Sequence, residues 1–280
     1  MKRGIDVSSH QGVIDWEAVK GNIDYAIIRC GYGADRESQD DTYFKRNANE
    51  CTRLGIPFGV YLYSYADNIS WSDSEVEHVL RLVKGYQLEY PIYYDIEDKV
   101  QANLSNETLT DIVVNFCEKL EQQGYYVGVY ANLNWWNTKL NSNRLDAYAK
   151  WVARYNTVLG YDAGMWQYTS SGTIAGINGN VDMDYCYVDY PEAIKKAGLN
   201  GFPKEETPTK PIPEIPPVTD VNTEIENLKK EIETLKKENE QLQETCQEKE
   251  LVFTCEKAGT YYIELKEQDK LFYEPGAIQK

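Results

Sequence analysis

Between residues 4 and 190, short runs rich in apolar and β-branched residues alternate with longer stretches whose apolar positions recur at helical spacing. That alternation is the pattern of a parallel sheet wound with helices. The predicted strands are 4–8 (GIDVS), 25–32 (YAIIRCGY), 57–65 (PFGVYLYSY), 91–97 (PIYYDIE), 126–132 (YVGVYAN), 150–155 (KWVARY), 164–169 (GMWQYT) and 181–187 (VDMDYCY). Helices are predicted over 40–54, from Tyr43, Phe44, Ala48, Cys51 and Leu54; over 72–84, from Val76, Val79, Leu80 and Val83; and over 106–123, from Leu109, Ile112, Val113, Phe116 and Leu120. Eight strand runs predict a closed α/β barrel. Several connections are too short or too polar for a full helix, so an irregular, flattened, TIM-like barrel is expected over residues 1–202.

The pattern breaks at Phe202. Six prolines fall between Pro203 and Pro217, predicting an extended linker over 203–220. Beyond it Val221, Ile225, Leu228, Ile232, Leu235, Asn239, Leu242 and Cys246 recur in alternating steps of four and three, a heptad seam. Ile225, Ile232, Asn239 and Cys246 fall at a positions, and leucines at d. Isoleucine at a, leucine at d and one asparagine at a favour a parallel two-stranded coiled coil over 221–250, hence a homodimer. In that dimer the two Cys246 side chains would meet at the seam. Residues 251–280 return to a β pattern (LVFTCEK, GTYYIELK, KLFYEP), expected to be a small module that either binds a ligand or locks the oligomer.

Composition narrows the function. At 280 residues with 42% apolar content the chain supports a substantial core, and 23 tyrosines, nearly all before residue 200, are an unusual excess. A net charge of −16 argues against a nucleic-acid partner, which needs a basic footprint. The opening MKRGIDVSSHQG has no apolar run of signal-peptide length, and nothing in the chain predicts membrane insertion. Six cysteines lie scattered without metal-ligand spacing, and only His10 and His78 are available to join them, so neither a metal site nor a cofactor is expected. The first four cysteines are expected to be buried free thiols.

The chemistry centres on Pro91-Ile92-Tyr93-Tyr94-Asp95-Ile96-Glu97-Asp98, where acids appear as an apolar strand should continue. Strand residues two apart share a face, about 6.6 Å apart along the chain, so Asp95 and Glu97 point the same way. Two carboxyls on one rigid face can be driven to different pKa values, giving the proton donor and the anion that cut a glycosidic bond. In a barrel, reactive groups gather at the C-terminal ends of the strands. The first strand carries Asp6 near its end, the fourth Asp95 and Glu97, and the eighth is expected to finish in Asp182 and Asp184. Closure makes the first and eighth strands neighbours, which sets Asp6 beside Asp182 and opposite the Asp95/Glu97 pair. Tyr63, Tyr130 and Trp166, near strand ends, are candidates to stack on sugar rings.

With these residues placed, the chain resembles the glycoside hydrolase family 25 lysozymes, the N-acetylmuramidases that include many phage endolysins. The resemblance spans about residues 3–190 and rests on G-I-D-V-S-S-H-Q-G at 4–12 with Asp15-Trp16, A-I-I-R at 26–29, G-V-Y-L-Y at 59–63, Y-Y-D-I-E at 93–97, G-V-Y-A-N at 128–132, M-W-Q-Y at 165–168 and V-D-M-D at 181–184. It implies the irregular barrel, cleavage of bacterial peptidoglycan, Glu97 as general acid and Asp95 as its ionised partner. It further implies that Asp6 and Asp182 line the same pocket and that the Trp166-Gln167 pair contacts sugar. An endolysin would wait in the host cytoplasm for release through a membrane pore, and the resemblance implies cell wall as the ligand of the module at 251–280, with an oligomer lock as the alternative. A bacterial autolysin, a chitinase-like enzyme, a cation-dependent hydrolase and a wall-binding protein with an inactive barrel are the alternatives.

Overall fold

The eight apolar runs become eight strands: β1 Lys2–Val7, β2 Tyr25–Tyr32, β3 Phe58–Tyr63, β4 Ile92–Asp95, β5 Val127–Asn132, β6 Ala149–Ala153, β7 Met165–Gly172 and β8 Val181–Cys186. They hydrogen-bond in chain order and close into a barrel. The structure is a computed structural model that describes residues 1–204 and 221–247, the side chains of the second segment over 225–241. Strands β1 to β7 pair in parallel, each with the next, whereas β8 runs antiparallel to both β7 and β1. The reason is the connection: residues 173–180 are all that separate β7 from β8, too few for the crossover a parallel neighbour requires.

Both faces of the sheet are buried, and they are filled differently. The outward faces of the strands, with Ile5, Val7, Ile28, Val60, Leu62, Ile92, Val129 and Val152, pack under the helices in an aliphatic layer. The barrel interior is aromatic, holding Tyr25, Tyr61, Tyr93, Tyr130 and Trp151. Glycines opposite these rings make the packing possible, since a Cβ at Gly4 would sit 2.4 Å from the Tyr25 ring and one at Gly128 2.5 Å from that of Tyr93. Part of the tyrosine excess is therefore barrel filling.

The helices are α1 Trp16–Val19, α2 Phe44–Leu54, α3 Ile69–Val83, α4 Asn106–Gln122, α5 Leu133–Thr138, α6 Tyr190–Ala197 and α7 Val221–Gln247. Helix α3 starts three residues before its predicted onset because Asn68 caps it, accepting from Trp71 N at 3.0 Å. Its first turn carries the exposed Ile69 and Trp71, which do not contribute to the apolar stripe. Helices α1, α5 and α6 are the short connections. After α6, Asn200 adopts a left-handed conformation (φ 55°) and is fully buried at the base of the barrel. Its Nδ2 donates to Leu88 O at 2.9 Å and Tyr90 O at 3.0 Å, and its Oδ1 accepts from Tyr126 N at 2.7 Å.

The chain divides into two compact units, Met1–Pro208 and Thr209–Lys280. In the second, α7 is one continuous helix of 27 residues. Most of the linker 203–220, the module 251–280 and the side chains of Leu242 and Cys246 lie outside the described residues. Among the described residues no helix is long and apolar enough to cross a membrane. Cys30, Cys51, Cys117 and Cys186 are buried free thiols, as expected.

Candidate active site

Asp95 is the last residue of β4, paired with Tyr63 on one side and Tyr130 on the other. The ribbon stays extended beyond it: Ile96 N donates to Tyr130 O at 2.9 Å, and Ile96 is buried in the outer aliphatic layer. Glu97 thus turns inward like Asp95, two residues past the end of the strand, on the face read from sequence. On the far side Asp6 of β1 pairs with Asp182 of β8. Asp182 was expected at the end of its strand but stands near the start. Because β8 runs antiparallel, its beginning is what reaches the mouth where β1 ends.

The four acids share one electrostatic environment. Burial raises Glu97, and then the charges of Asp182 and Asp98 raise it further. Burial pushes Asp95 well above the carboxylate range, with repulsion from Glu97 adding to it and the Arg29 guanidinium opposing. The expectation of an ionised Asp95 beside a protonated Glu97 does not follow from the surroundings, since Asp95 is the more deeply sealed of the two. Its Oδ1 is buried with no hydrogen-bond partner among the described residues. Burial also raises Asp182, while His10 nearby favours its charged form. Arg29 itself is held by Asp41, with Nε to Oδ2 at 2.9 Å, and by Ser9 Oγ at 2.8 Å.

The remaining candidates separate. Gln167 points into the barrel and donates from Nε2 to Asp6 Oδ2 at 2.7 Å, while its Oε1 accepts from Tyr130 Oη at 3.0 Å and Tyr155 Oη at 2.9 Å. Both ends of its amide are engaged within the protein, so it orients Asp6. Tyr130 lies among Glu97, Asp95 and Asp6, whose charges join burial in raising its hydroxyl pKa. Tyr63 is half-buried beside the same acids and donates to Asp98 Oδ2 at 3.1 Å. Trp166 does not join them. It faces outward between the inward Met165 and Gln167, stacks near Tyr168 and Tyr185, and donates from Nε1 to Arg154 O at 2.7 Å.

Two residues of the site, Tyr155 and Asp98, were not in the sequence-based set, and a third, Asp184, was placed on its strand there without a role. Tyr155, 58% exposed just past β6, presents an aromatic face beside Gln167, the position expected of Trp166. Asp184 is buried below Asp6 and accepts from Trp151 Nε1 at 2.8 Å. Asp98 anchors Tyr63. Each had a signal: Tyr155 ends the run KWVARY, Asp184 shares its strand face with Asp182, and Asp98 follows Glu97 directly. A cavity of about 540 Å³ opens at the other end of the barrel, beside Ile56, Phe58, Tyr86 and Tyr125, and holds a single acid, Glu89.

A closed α/β barrel with inward carboxyls grouped at one mouth has the architecture of a barrel hydrolase. More narrowly, the model of glycosyl hydrolases family 25 matches residues 5–177, and the chain belongs to that family. The autolytic lysozyme of Clostridium acetobutylicum is 30% identical over 200 residues, covering 70% of this chain and 58% of that protein. The modular autolysin LytC from Streptococcus pneumoniae, solved with a synthetic peptidoglycan ligand, aligns with a TM-score of 0.59 and 34% identity over 65% of this chain and 46% of its own. The catalytic domain of endolysin ply40 from bacteriophage P40 of Listeria monocytogenes shares the fold, with a TM-score of 0.59 at 24% identity over 69% of this chain and 97% of its own. This chain thus spans under two thirds of the autolytic lysozyme and under half of LytC.

Proposed function

We propose that the chain is a peptidoglycan hydrolase that cleaves the β-1,4 bond between N-acetylmuramic acid and N-acetylglucosamine. The observation that carries this reading is the inward pair Asp95 and Glu97 at the barrel mouth, in electrostatic reach of Asp182 and opposite the β1–β8 edge. Glu97 is the general acid. It is partly open to the mouth, and burial together with neighbouring anions keeps its proton available for the leaving oxygen. Asp95 offers the buried Oδ1 that lacks a donor within the protein. The N–H of the substrate's 2-acetamido group satisfies that oxygen, stabilises the anion and orients the acetamido oxygen toward the anomeric carbon. The anomeric configuration of the product follows: it is retained, and an α-anomer as first product in rapid NMR overturns this route.

The test is reducing-end release from purified Gram-positive wall, set against chitin oligomers. Glu97→Gln is expected to lose at least about 100-fold in kcat while still sedimenting with wall, since the amide keeps the shape and cannot donate the proton. Release from chitin in preference to wall would replace the substrate assignment, and a Glu97→Gln variant near wild-type rate would remove the residue's role. The family's relatives include a bacterial autolytic lysozyme and, at the level of fold, a phage endolysin. We favour the endolysin setting, with a cytoplasmic wait before release. Lysis of an expressing host only alongside a pore-forming protein supports it; lysis without one means independent export.

We further infer a homodimer through α7. Ile225, Leu228, Ile232 and Leu235 are 43–57% exposed along one heptad seam, and a single helix of this length in water is marginal without a partner. Sedimentation equilibrium of the full chain is expected to give a dimer that Ile232→Asp converts to monomer. A monomeric wild type at tens of micromolar rejects it.

A further inference from the structure

Below the mouth lies an acid that the proposed reaction does not use. Asp184 sits mid-strand in β8, buried, with Gly4 opposite it on β1 and Gln167 on β7. Gly4 has no side chain, and the ring of Tyr25 fills the space over it. One Asp184 oxygen, Oδ1, is fixed by the indole N–H of Trp151, and the other, Oδ2, is buried with no donor among the described residues. Asp6 in turn has Oδ2 fixed by Gln167 Nε2. With Nε2 on Asp6, the hydroxyls of Tyr130 and Tyr155 donate to Oε1 and complete the bonding of the amide. Two carboxyls, each pinned by a donor through one oxygen, therefore face each other through the remaining two. If both were ionised, a buried oxygen would be left bare against a second anion.

We propose that Asp184 is a positioning residue that shares one proton with Asp6, so that the pair carries a single negative charge and Asp6 is held toward the mouth. The proton bridges the free oxygens and removes the orphaned acceptor. The titratable groups facing the pair are Asp182 and Cys186 from β8, Tyr25 from β2, Tyr61 from β3, Tyr130 from β5, Tyr168 from β7 and Tyr155 after β6. The thiol and the phenols are raised by burial and stay neutral, so Asp182 is the neighbour that disfavours a second charge. Burial is the largest cause raising both carboxyls, and Asp184 is pushed up to about 8. The pair thus holds at least one proton through neutral pH, with apparent values that belong to the two groups jointly.

The kinetic arm of the test rests on the hydrolase reading; the spectroscopic arm does not. In the full wild-type chain with carbon-13-labelled aspartate carboxyls, Asp6 and Asp184 are expected to report one common step near or above neutrality. Two independent steps below about pH 5 overturn the proposal whatever the protein hydrolyses. Asp184→Asn keeps the Trp151 bond and donates permanently to Asp6, which then has no proton to lose. Its alkaline limb in kcat/KM is expected to move up by about one pH unit or more, with the common step absent from the spectrum. An unchanged limb beside an unchanged Asp6 titration overturns it, and a variant that does not fold leaves the wild-type titration to decide.

Discussion

Tyr155 and Trp166 show how strand phase decides what a residue does. In a barrel buried on both faces, Met165, Trp166 and Gln167 are all buried, and hydrophobicity carries no record of which alternate set looks inward. Gln167 breaks the tie, because a buried amide needs partners and finds three of them inside. The two aromatics therefore respond differently to truncation. Tyr155→Ala is expected to raise KM on wall several-fold with kcat and Tm little changed, since it removes an exposed stacking face of about 1–3 kcal/mol at most. Trp166→Ala is expected to lose about 3–5 kcal/mol of stability by leaving a cavity beside Tyr168 and Tyr185, with KM of the folded fraction preserved. Thermal melts and initial rates on both variants separate the roles. The acids Asp6, Asp95, Glu97 and Asp182 were legible because a charge at a strand end is conspicuous. Their protonation was not, since it depends on burial and on each other.

At the level of elements, the sheet was readable and the devices that brace it were not. All eight strands follow from apolar runs, whereas the reversal of β8 follows from the short 173–180 connection, a feature of length and not of residue type. Glu75 of α3 is the clearest hidden brace. Lying beside Val76 in sequence, it reads as a solvated position, yet it is fully buried and accepts from Ser64 Oγ at 2.8 Å, Tyr65 N at 2.8 Å and the Tyr94 hydroxyl. Ser64 Oγ also accepts from Gln101 Nε2 at 2.9 Å, and Ser64 N donates to Asp95 O at 3.0 Å. One carboxylate thus ties the end of β3 to the loop that follows Glu97. Glu75→Gln turns an amide N–H₂ toward groups that are all donors. A stability loss of about 1–3 kcal/mol is expected, together with a fall in kcat at temperatures where the variant is fully folded. Denaturant melts paired with wall assays check both, and an unaltered kcat would mean that the brace does not reach Glu97.

For the whole molecule, the interior acids set the pH dependence of stability. Asp6, Asp95, Asp184, Glu75 and Glu97 are all raised by burial, so between the ordinary carboxylate range and their own higher values the folded chain binds more protons than the unfolded one. Stability is then fullest near pH 4 to 5 and declines as pH rises toward about 8, where Asp184 gives up its proton. The carboxyls shifted the other way, Asp40, Glu50 and Asp73, are partly exposed members of surface ion pairs and offset little. A Tm that falls steadily from pH 5 to pH 8 is expected by calorimetry; a flat or rising Tm contradicts it. At the other end of the barrel, Asn200 stitches the residues that lead into β4 and β5 with four hydrogen bonds through its side chain and backbone amide. It lies beyond the 5–177 span by which the family is recognised. A chimera that joins this barrel to a different C-terminal segment must therefore make its splice after Gly201, because a junction drawn at the family boundary would cut away β8, on which the barrel closes, together with this latch.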